Sequence, residues 1–138
     1  MDKTLLDILS RHPDWRLVIR PHPSEDLAYT DLPANVELSD RTDPLYEVLS
    51  AVDVVITMSS TVGLEAALLG KPLISLDISI FTPDAPYSKM GISKGVNNLV
   101  DLEKAIEEVF SEGWQCSTNL ADAGCATDRV LSVIHEYV

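Results

Sequence analysis

A strand–helix–strand pattern in the middle of the chain constrains its fold more than any other feature. Residues 53–58 (DVVITM) form a near-continuous apolar run of strand length, and residues 62–69 follow as a short helix. Gly70 and Pro72 end that helix, and a second apolar run begins at Leu73. Runs without polar alternation are typical of strands that are covered on both faces. The pattern therefore predicts two parallel strands joined by a helix.

The rest of the chain continues this alternation of short strands and helices. Further strands are predicted at 15–20 and 36–38, helices at 4–11, 44–52 (with Asp43 as N-cap), 101–110 and 127–138, and a long loop at 78–95. This order predicts one domain over residues 1–138, a Rossmann-like three-layer α/β/α fold with a parallel sheet. Such folds usually begin with a strand, whereas this chain begins with a helix. We therefore expect a fragment of a two-domain protein that lacks its first strand.

Composition disfavours several classes of partner. Ten lysine and arginine residues against 22 aspartate and glutamate residues give a net charge of −12, which disfavours nucleic acids and anionic membranes. No apolar run reaches the roughly 18 residues of a membrane span, and the N-terminus does not read as a signal peptide. Cys116 and Cys125 show no metal-ligand spacing, so we expect no metal site and a reducing, cytoplasmic location.

Three hydroxyl residues stand between the predicted strand at 53–58 and the helix at 62–69. Ser59, Ser60 and Thr61 come directly before the helix, where backbone N–H groups lack partners and the helix dipole is positive. Such a turn suits a phosphate group without needing a lysine. The alternative is that Ser60 or Thr61 only caps the helix. The glycine–lysine stretch that follows has neither the spacing nor the Ser/Thr of a P-loop, which excludes P-loop nucleotide hydrolysis.

Other polar residues are candidates for the same site. Glu65 lies one turn into the helix, where a carboxylate either completes a capping box or accepts hydrogen bonds from a ribose diol. The motif Arg20-Pro21-His22-Pro23 follows the first strand, and its prolines restrict the backbone around the imidazole. We expect His22 to contact a ligand at the same sheet edge as the hydroxyl turn. Arg20 is a phosphate partner or a member of a surface ion pair.

The long loop at 78–95 is a further candidate because of its length and its charge. Its two lysines, Lys89 and Lys94, stand in an acidic chain and suggest a flap over an anionic ligand. The alternative is that they are solvated loop residues.

Two segments resemble a known family. Residues 53–74 resemble the donor-binding segment of GT-B-fold proteins, which include glycosyltransferases of bacterial surface polysaccharides and UDP-N-acetylglucosamine 2-epimerases. The Arg20-Pro21-His22-Pro23 motif resembles the His-Pro motif of bacterial sialyltransferases and of glycerophosphotransferases that use CDP-glycerol, in which a Ser-Ser motif follows. The resemblance covers roughly residues 5–110 and implies the nucleotide-binding C-terminal domain of such enzymes.

The resemblance also implies roles for individual residues. It makes His22 the catalytic contact to the donor and Glu65 the ribose ligand. The phosphate-binding residues are then Arg20, Ser59, Ser60, Thr61 and Gly63. The substrate would be a CMP-, CDP- or UDP-linked sugar, with no additional cofactor.

Departures from the epimerase pattern favour a transferase. Met58 stands where such epimerases tend to have aspartate, and Glu65 lacks a paired glutamate. We therefore expect the donor-binding domain of a GT-B glycosyltransferase of cell-surface or capsular polysaccharide synthesis, inactive without an N-terminal acceptor domain. The alternatives are an epimerase-like domain and a non-catalytic α/β module that binds a partner. A sheet without its first strand would expose edges that favour a homodimer.

Overall fold

The computed structural model describes residues 2–22, 29–40, 42–118, 120 and 124–136. The chain divides into two compact units, Met1–Val52 and Asp53–Val138. Within the described residues, every helix is too short or too polar to cross a membrane.

The Met1–Val52 unit contains two helices and a pair of parallel strands. Its elements are α1 (Asp2–Arg11), β1 (Leu17–Ile19), β2 (Val36–Leu38) and α2 (Leu45–Ala51). Residues Leu17 and Ile19 of β1 stand opposite Val36 and Leu38 of β2. Helix α1 forms because apolar residues recur on one of its faces, and that face is buried. Its buried residues are Leu5, Ile8 and Leu9.

The Asp53–Val138 unit is built on a sheet of three parallel strands. These are β3 (Val55–Thr57), β4 (Leu73–Leu76) and β5 (Lys94–Val96), in the order β3-β4-β5. All four residues of the central strand β4, which are apolar apart from Ser75, have no exposed surface, as expected for a strand covered on both faces. The α/β class and the parallel strand pairing predicted from the sequence are therefore confirmed.

Three helices and a short 3-10 turn complete this unit. They are α3 (Val62–Leu68), the 3-10 turn Leu99–Asp101, α4 (Leu102–Glu112) and α5 (Ala126–Glu136). Helix α4 buries Leu102, Ala105, Ile106 and Val109, which lie on one face at helical spacing.

Gly70 ends α3, as the sequence predicts. Its φ of +71° lies in the left-handed region, and its N–H donates to the Ala67 carbonyl at 3.0 Å. The N–H of Lys71 donates to the Ala66 carbonyl at 3.0 Å. This pair of bonds is a Schellman motif, which satisfies the last carbonyls of the helix.

The structure corrects two local predictions. The segment 78–95 is not a loop throughout, because β5 begins at Lys94 and pairs with β4. Asp43 does not cap α2: Pro44 occupies the N-cap position, with no side-chain capping bond. The Asp43 carboxylate instead accepts hydrogen bonds from the Asp40 N–H at 2.7 Å and the Ser39 hydroxyl at 3.0 Å. Strand β5 depends on pairing with β4, about 20 residues earlier in the chain, which local patterns do not contain. The Asp43 carboxylate is instead engaged by groups three and four residues before it.

Candidate functional site

A cavity of about 490 Å³ lies beside the turn between β3 and α3. Ser59 and Thr61, which follow the carboxyl end of β3, line one side of it. The other lining residues are Leu64 of α3 and residues that follow β4 in the chain. The cavity is therefore built from segments that leave the carboxyl ends of two parallel strands, where ligands of open α/β sheets usually bind.

The rest of the cavity wall is mostly apolar. Leu64 of α3 contributes to it, together with Phe81, Pro86 and Met90 from the connection between β4 and β5. Of the described residues that line the cavity, only Asp84 carries a charge. The volume lies in the range of small-molecule sites, which combine apolar walls with a few polar groups.

Ser60 is not among the lining residues, and its polar groups are bonded within the local fold. Its hydroxyl accepts a hydrogen bond from the Val62 N–H at 3.3 Å. Its carbonyl accepts one from the Gly63 N–H at 3.0 Å. The capping interpretation therefore applies to Ser60, whereas Thr61 occupies the N-cap position without a side-chain capping bond.

The expectation of unpaired N–H groups in the first turn of α3 is wrong. Val62 and Gly63 donate to Ser60, and the N–H groups of Leu64 and Glu65 donate to the Thr61 carbonyl at 3.0 and 3.2 Å. The turn is tightened by these bonds, which satisfies donors that an ideal helix start leaves open. A phosphate at this turn would therefore be held by side-chain hydroxyls rather than by these four amides.

Tyr87 ties the connection after β4 to the hydroxyl turn. Its side chain is 6% exposed, and its hydroxyl donates to the Ser60 carbonyl at 2.9 Å. Burial raises the pKa of Tyr87, so the phenol stays protonated and remains a donor at neutral pH. Tyr87 also lines the cavity, so the same residue positions the turn and forms part of the wall.

Gly63 allows this approach of Tyr87. A Cβ atom at Gly63 would lie 2.9 Å from Thr57 Cγ2 and 3.0 Å from Tyr87 Cε2. The sequence predicts Gly63 as part of a phosphate site, whereas the structure shows that it lets strand, helix and tyrosine ring pack closely. No signal in the sequence links Gly63 to Tyr87, because the two residues stand 24 positions apart.

Hydrogen bonds fix the connection between β4 and β5 at several points. The Ser88 hydroxyl donates to the Asp77 carboxylate, which also accepts from the buried Ser75 hydroxyl at 2.8 Å. Near Met90, the Thr118 hydroxyl donates to the Met90 carbonyl, and the Ser117 N–H donates to the Gly91 carbonyl at 2.9 Å. The apolar wall of the cavity is therefore held in place by both the sheet and the segment after α4.

Glu65 lies on the exposed side of α3 and does not line the cavity. Because Thr61 makes no side-chain capping bond, the reciprocal pair of bonds that defines a capping box is not formed. The role of Glu65 as a ribose ligand stays a prediction.

Arg20 and His22 belong to the other compact unit. The Arg20 guanidinium donates to the Ser39 hydroxyl at 2.9 Å and to the carbonyls of Asp40 at 3.4 Å and Asp43 at 3.1 Å. These bonds hold the segment between β2 and α2. His22 is exposed after β1. Pro23 and Arg41 lie outside the described residues. The phosphate role of Arg20 and the catalytic role of His22 stay predictions.

Lys94 does not act as a flap lysine. It lies in β5 and forms an ion pair with Glu108 of α4. The hydrogen bond from Lys94 lowers the pKa of the Glu108 carboxyl below its usual value. Lys89 is exposed and does not line the cavity.

The Asp53–Val138 unit is thus an α/β unit with a cavity at the carboxyl ends of its strands. No protein-family model matches the chain. The sequence is 26% identical over 120 residues to the lipid-A-disaccharide synthase of Geobacter sulfurreducens, across 83% of this chain and 31% of that protein.

A solved structure described as the glycotransferase of kitacinnamycin superposes with a TM-score of 0.62 at 26% identity. The match covers 79% of this chain and 30% of that one. The chain is thus similar to two glycosyltransferases and spans about a third of the length of each.

Proposed function

We propose that the Asp53–Val138 unit binds the nucleotide-sugar donor of a GT-B-type glycosyltransferase. The observation that carries the proposal is the pair of hydroxyls, Ser59 and Thr61, on a cavity at the carboxyl ends of β3 and β4. Ligands of parallel α/β sheets bind at this edge. The similarity to two glycosyltransferases supports sugar transfer over epimerisation or a purely structural role.

The hydroxyl turn would bind the phosphate of the donor and stabilise it as the leaving group. When the bond between the sugar and its phosphate breaks, negative charge develops on the departing phosphate oxygen. The hydroxyls of Ser59 and Thr61 would donate hydrogen bonds to that phosphate, and these bonds strengthen as the charge develops. His22 remains the predicted donor of a further hydrogen bond or proton.

The wider role is also a proposal. We place the activity in cell-surface or capsular polysaccharide synthesis, with a CMP-, CDP- or UDP-linked sugar as donor. The acceptor and the base that activates it would come from outside residues 1–138, because the glycosyltransferases that the chain resembles are about three times as long.

Calorimetric titration of the full-length natural protein with CMP, CDP, UDP and UDP-N-acetylglucosamine tests the proposal. We expect Ser59→Ala and Thr61→Val each to weaken binding of the best nucleotide about tenfold, since each removes a hydrogen bond to a charged group. Ser60→Ala is the matched control and should change the affinity less, because the Ser60 hydroxyl is bonded to the Val62 N–H.

Two outcomes would contradict the proposal. One is that no nucleotide binds to the wild-type protein. The other is that the three serine and threonine variants bind nucleotide equally well. His22→Ala, assayed in parallel, tests the separate prediction that His22 contacts the donor.

A further inference from the structure

The apolar wall of the cavity carries information about the group that the donor transfers. Phe81 and Met90 are 57% and 49% exposed, although both are large apolar side chains. Exposed apolar residues that line a concave surface of a soluble protein mark contact with a ligand or partner. The neighbouring Leu64 and Pro86 extend the same wall. A ligand group seated here gains most if it presents methyl or ring carbon surface.

The charge of the cavity limits the ligand further. Asp84 is the one charged residue among the described lining residues, and the cations of the same segment lie elsewhere. Lys89 does not line the cavity, and Lys94 is paired with Glu108. A carboxylate on the bound group would meet Asp84, and no cation among the described lining residues offsets the repulsion. A hydroxyl or amide of the bound group could instead donate a hydrogen bond to Asp84.

The wall is also held in position before any ligand arrives. Tyr87 is bonded to the Ser60 carbonyl, Ser88 to Asp77, and the Met90 carbonyl to Thr118. A wall fixed by its own hydrogen bonds loses little conformational entropy when a ligand binds, so its shape and charge select among ligands.

We propose that this cavity takes the transferred sugar of the donor, and that the sugar is uncharged and carries a substituent that exposes a methyl group, such as an acetamido group or the C6 methyl of a 6-deoxy sugar. A carboxylate on the sugar would add a negative charge near Asp84 and is disfavoured. This inference rests on the proposed donor function and deepens it by naming the class of sugar. Among the donors that the sequence leaves open, it favours N-acetylhexosamine nucleotides over CMP-linked acidic sugars.

The test measures the affinity that the sugar adds to the bare nucleotide. In calorimetry on the full chain, UDP, UDP-N-acetylglucosamine, UDP-glucose and UDP-glucuronic acid form one series, and CMP with CMP-N-acetylneuraminic acid forms the other. We expect UDP-N-acetylglucosamine to bind about five- to tenfold more tightly than UDP. We expect UDP-glucose to fall between the two, and the acidic sugars to bind no more tightly than the bare nucleotides.

Two variants assign the effect to the cavity. Phe81→Ala should remove most of the extra affinity that UDP-N-acetylglucosamine shows over UDP, and its side chain is exposed enough to spare the fold. Phe110→Ala, a similarly exposed phenylalanine outside the cavity, is the matched control and should change neither affinity. Asp84→Asn should raise the affinity for UDP-glucuronic acid.

The outcomes separate this inference from the proposed function. Binding of bare nucleotide with a gain from glucuronic or neuraminic acid equal to that from N-acetylglucosamine overturns the inference and leaves the donor function standing. Equal losses in Phe81→Ala and Phe110→Ala also overturn it. Absence of binding by every nucleotide and sugar nucleotide overturns both proposals.

Discussion

Both compact units place polar side chains directly after a parallel strand, but they use them differently. In the Met1–Val52 unit, Arg20 follows β1 and donates to Ser39 and to the carbonyls of Asp40 and Asp43. In the Asp53–Val138 unit, Ser59 and Thr61 follow β3 and line a cavity. The Arg20 donors are bonded to the chain itself, whereas the hydroxyls of Ser59 and Thr61 lie on the wall of a cavity.

The difference teaches that position after a strand is not enough to identify a binding residue. An arginine is a stronger phosphate ligand than a serine, and by residue type alone Arg20 would be preferred. The hydrogen bonds favour Ser59 and Thr61 instead, because the Arg20 guanidinium is already bonded to Ser39, Asp40 and Asp43. Substitutions in each unit test whether this contrast holds.

The largest effect is expected at Gly63. In Gly63→Ala the new methyl group would overlap Thr57 and the Tyr87 ring, both in buried surroundings. We expect the free energy of unfolding to fall by about 1–3 kcal/mol, as for other overpacked sites. Nucleotide affinity should fall as well, because Tyr87 holds the Ser60 carbonyl and lines the cavity. Urea denaturation and calorimetric titration measure the two effects.

Gly70→Ala serves as the control for this substitution. Gly70 has a φ of +71° and nothing within 4 Å of an added Cβ, so alanine there costs about 1 kcal/mol through backbone strain alone. Its nucleotide affinity should be that of the wild type. Equal nucleotide affinities in both glycine variants would show that Tyr87 does not couple the packing to the cavity.

A middle-sized effect is expected at Arg20. Arg20→Met removes three hydrogen bonds and leaves the buried Ser39 hydroxyl with fewer partners. We expect a loss of about 1–2 kcal/mol in the free energy of unfolding with no change in affinity for CDP. Arg16→Met, at an exposed arginine of the same unit, is the control and should change neither quantity. A tenfold loss of CDP affinity at unchanged stability would make Arg20 a phosphate ligand and end the contrast.

The sequence predicts those parts of the fold that have a strong local pattern. The apolar runs of β3 and β4 and the glycine stop of α3 are visible within a few residues, and the parallel pairing follows from their alternation. The sequence does not predict strand β5, because Lys94-Gly95-Val96 offers one buried apolar residue and its hydrogen bonds come from β4. Pairing with a strand distant in sequence leaves no periodicity to read.

The site shows the same limit. Ser59 and Thr61 can be predicted because they stand at a strand end before a helix. Phe81 and Met90 cannot, because their positions depend on contacts such as the bond from Thr118 to the Met90 carbonyl. From the sequence, we expect the segment 78–95 to cover an anionic ligand through its two lysines. In the structure, the residues of this segment that line the cavity are mostly apolar.

The smallest effect on the free energy of unfolding is expected at the Lys94–Glu108 ion pair. Lys94, like Arg20, is a cation that is bonded within the protein. The hydrogen bond from Lys94 lowers the pKa of Glu108. A carboxyl whose pKa is lower in the folded state stabilises the fold above its unfolded pKa, and this contribution is lost as the pH falls through the folded-state pKa. Both side chains are about one-third exposed, so solvent screening keeps the contribution small.

We therefore expect urea denaturation to show wild type more stable than Lys94→Met at neutral pH, with the difference vanishing in acid. Lys104→Met, which removes the more distant 3.6 Å partner of Glu108, should retain most of the pH dependence. Parallel pH profiles for wild type and Lys94→Met would show that the pair does not contribute to stability, and Lys94 would again be a candidate for ligand binding.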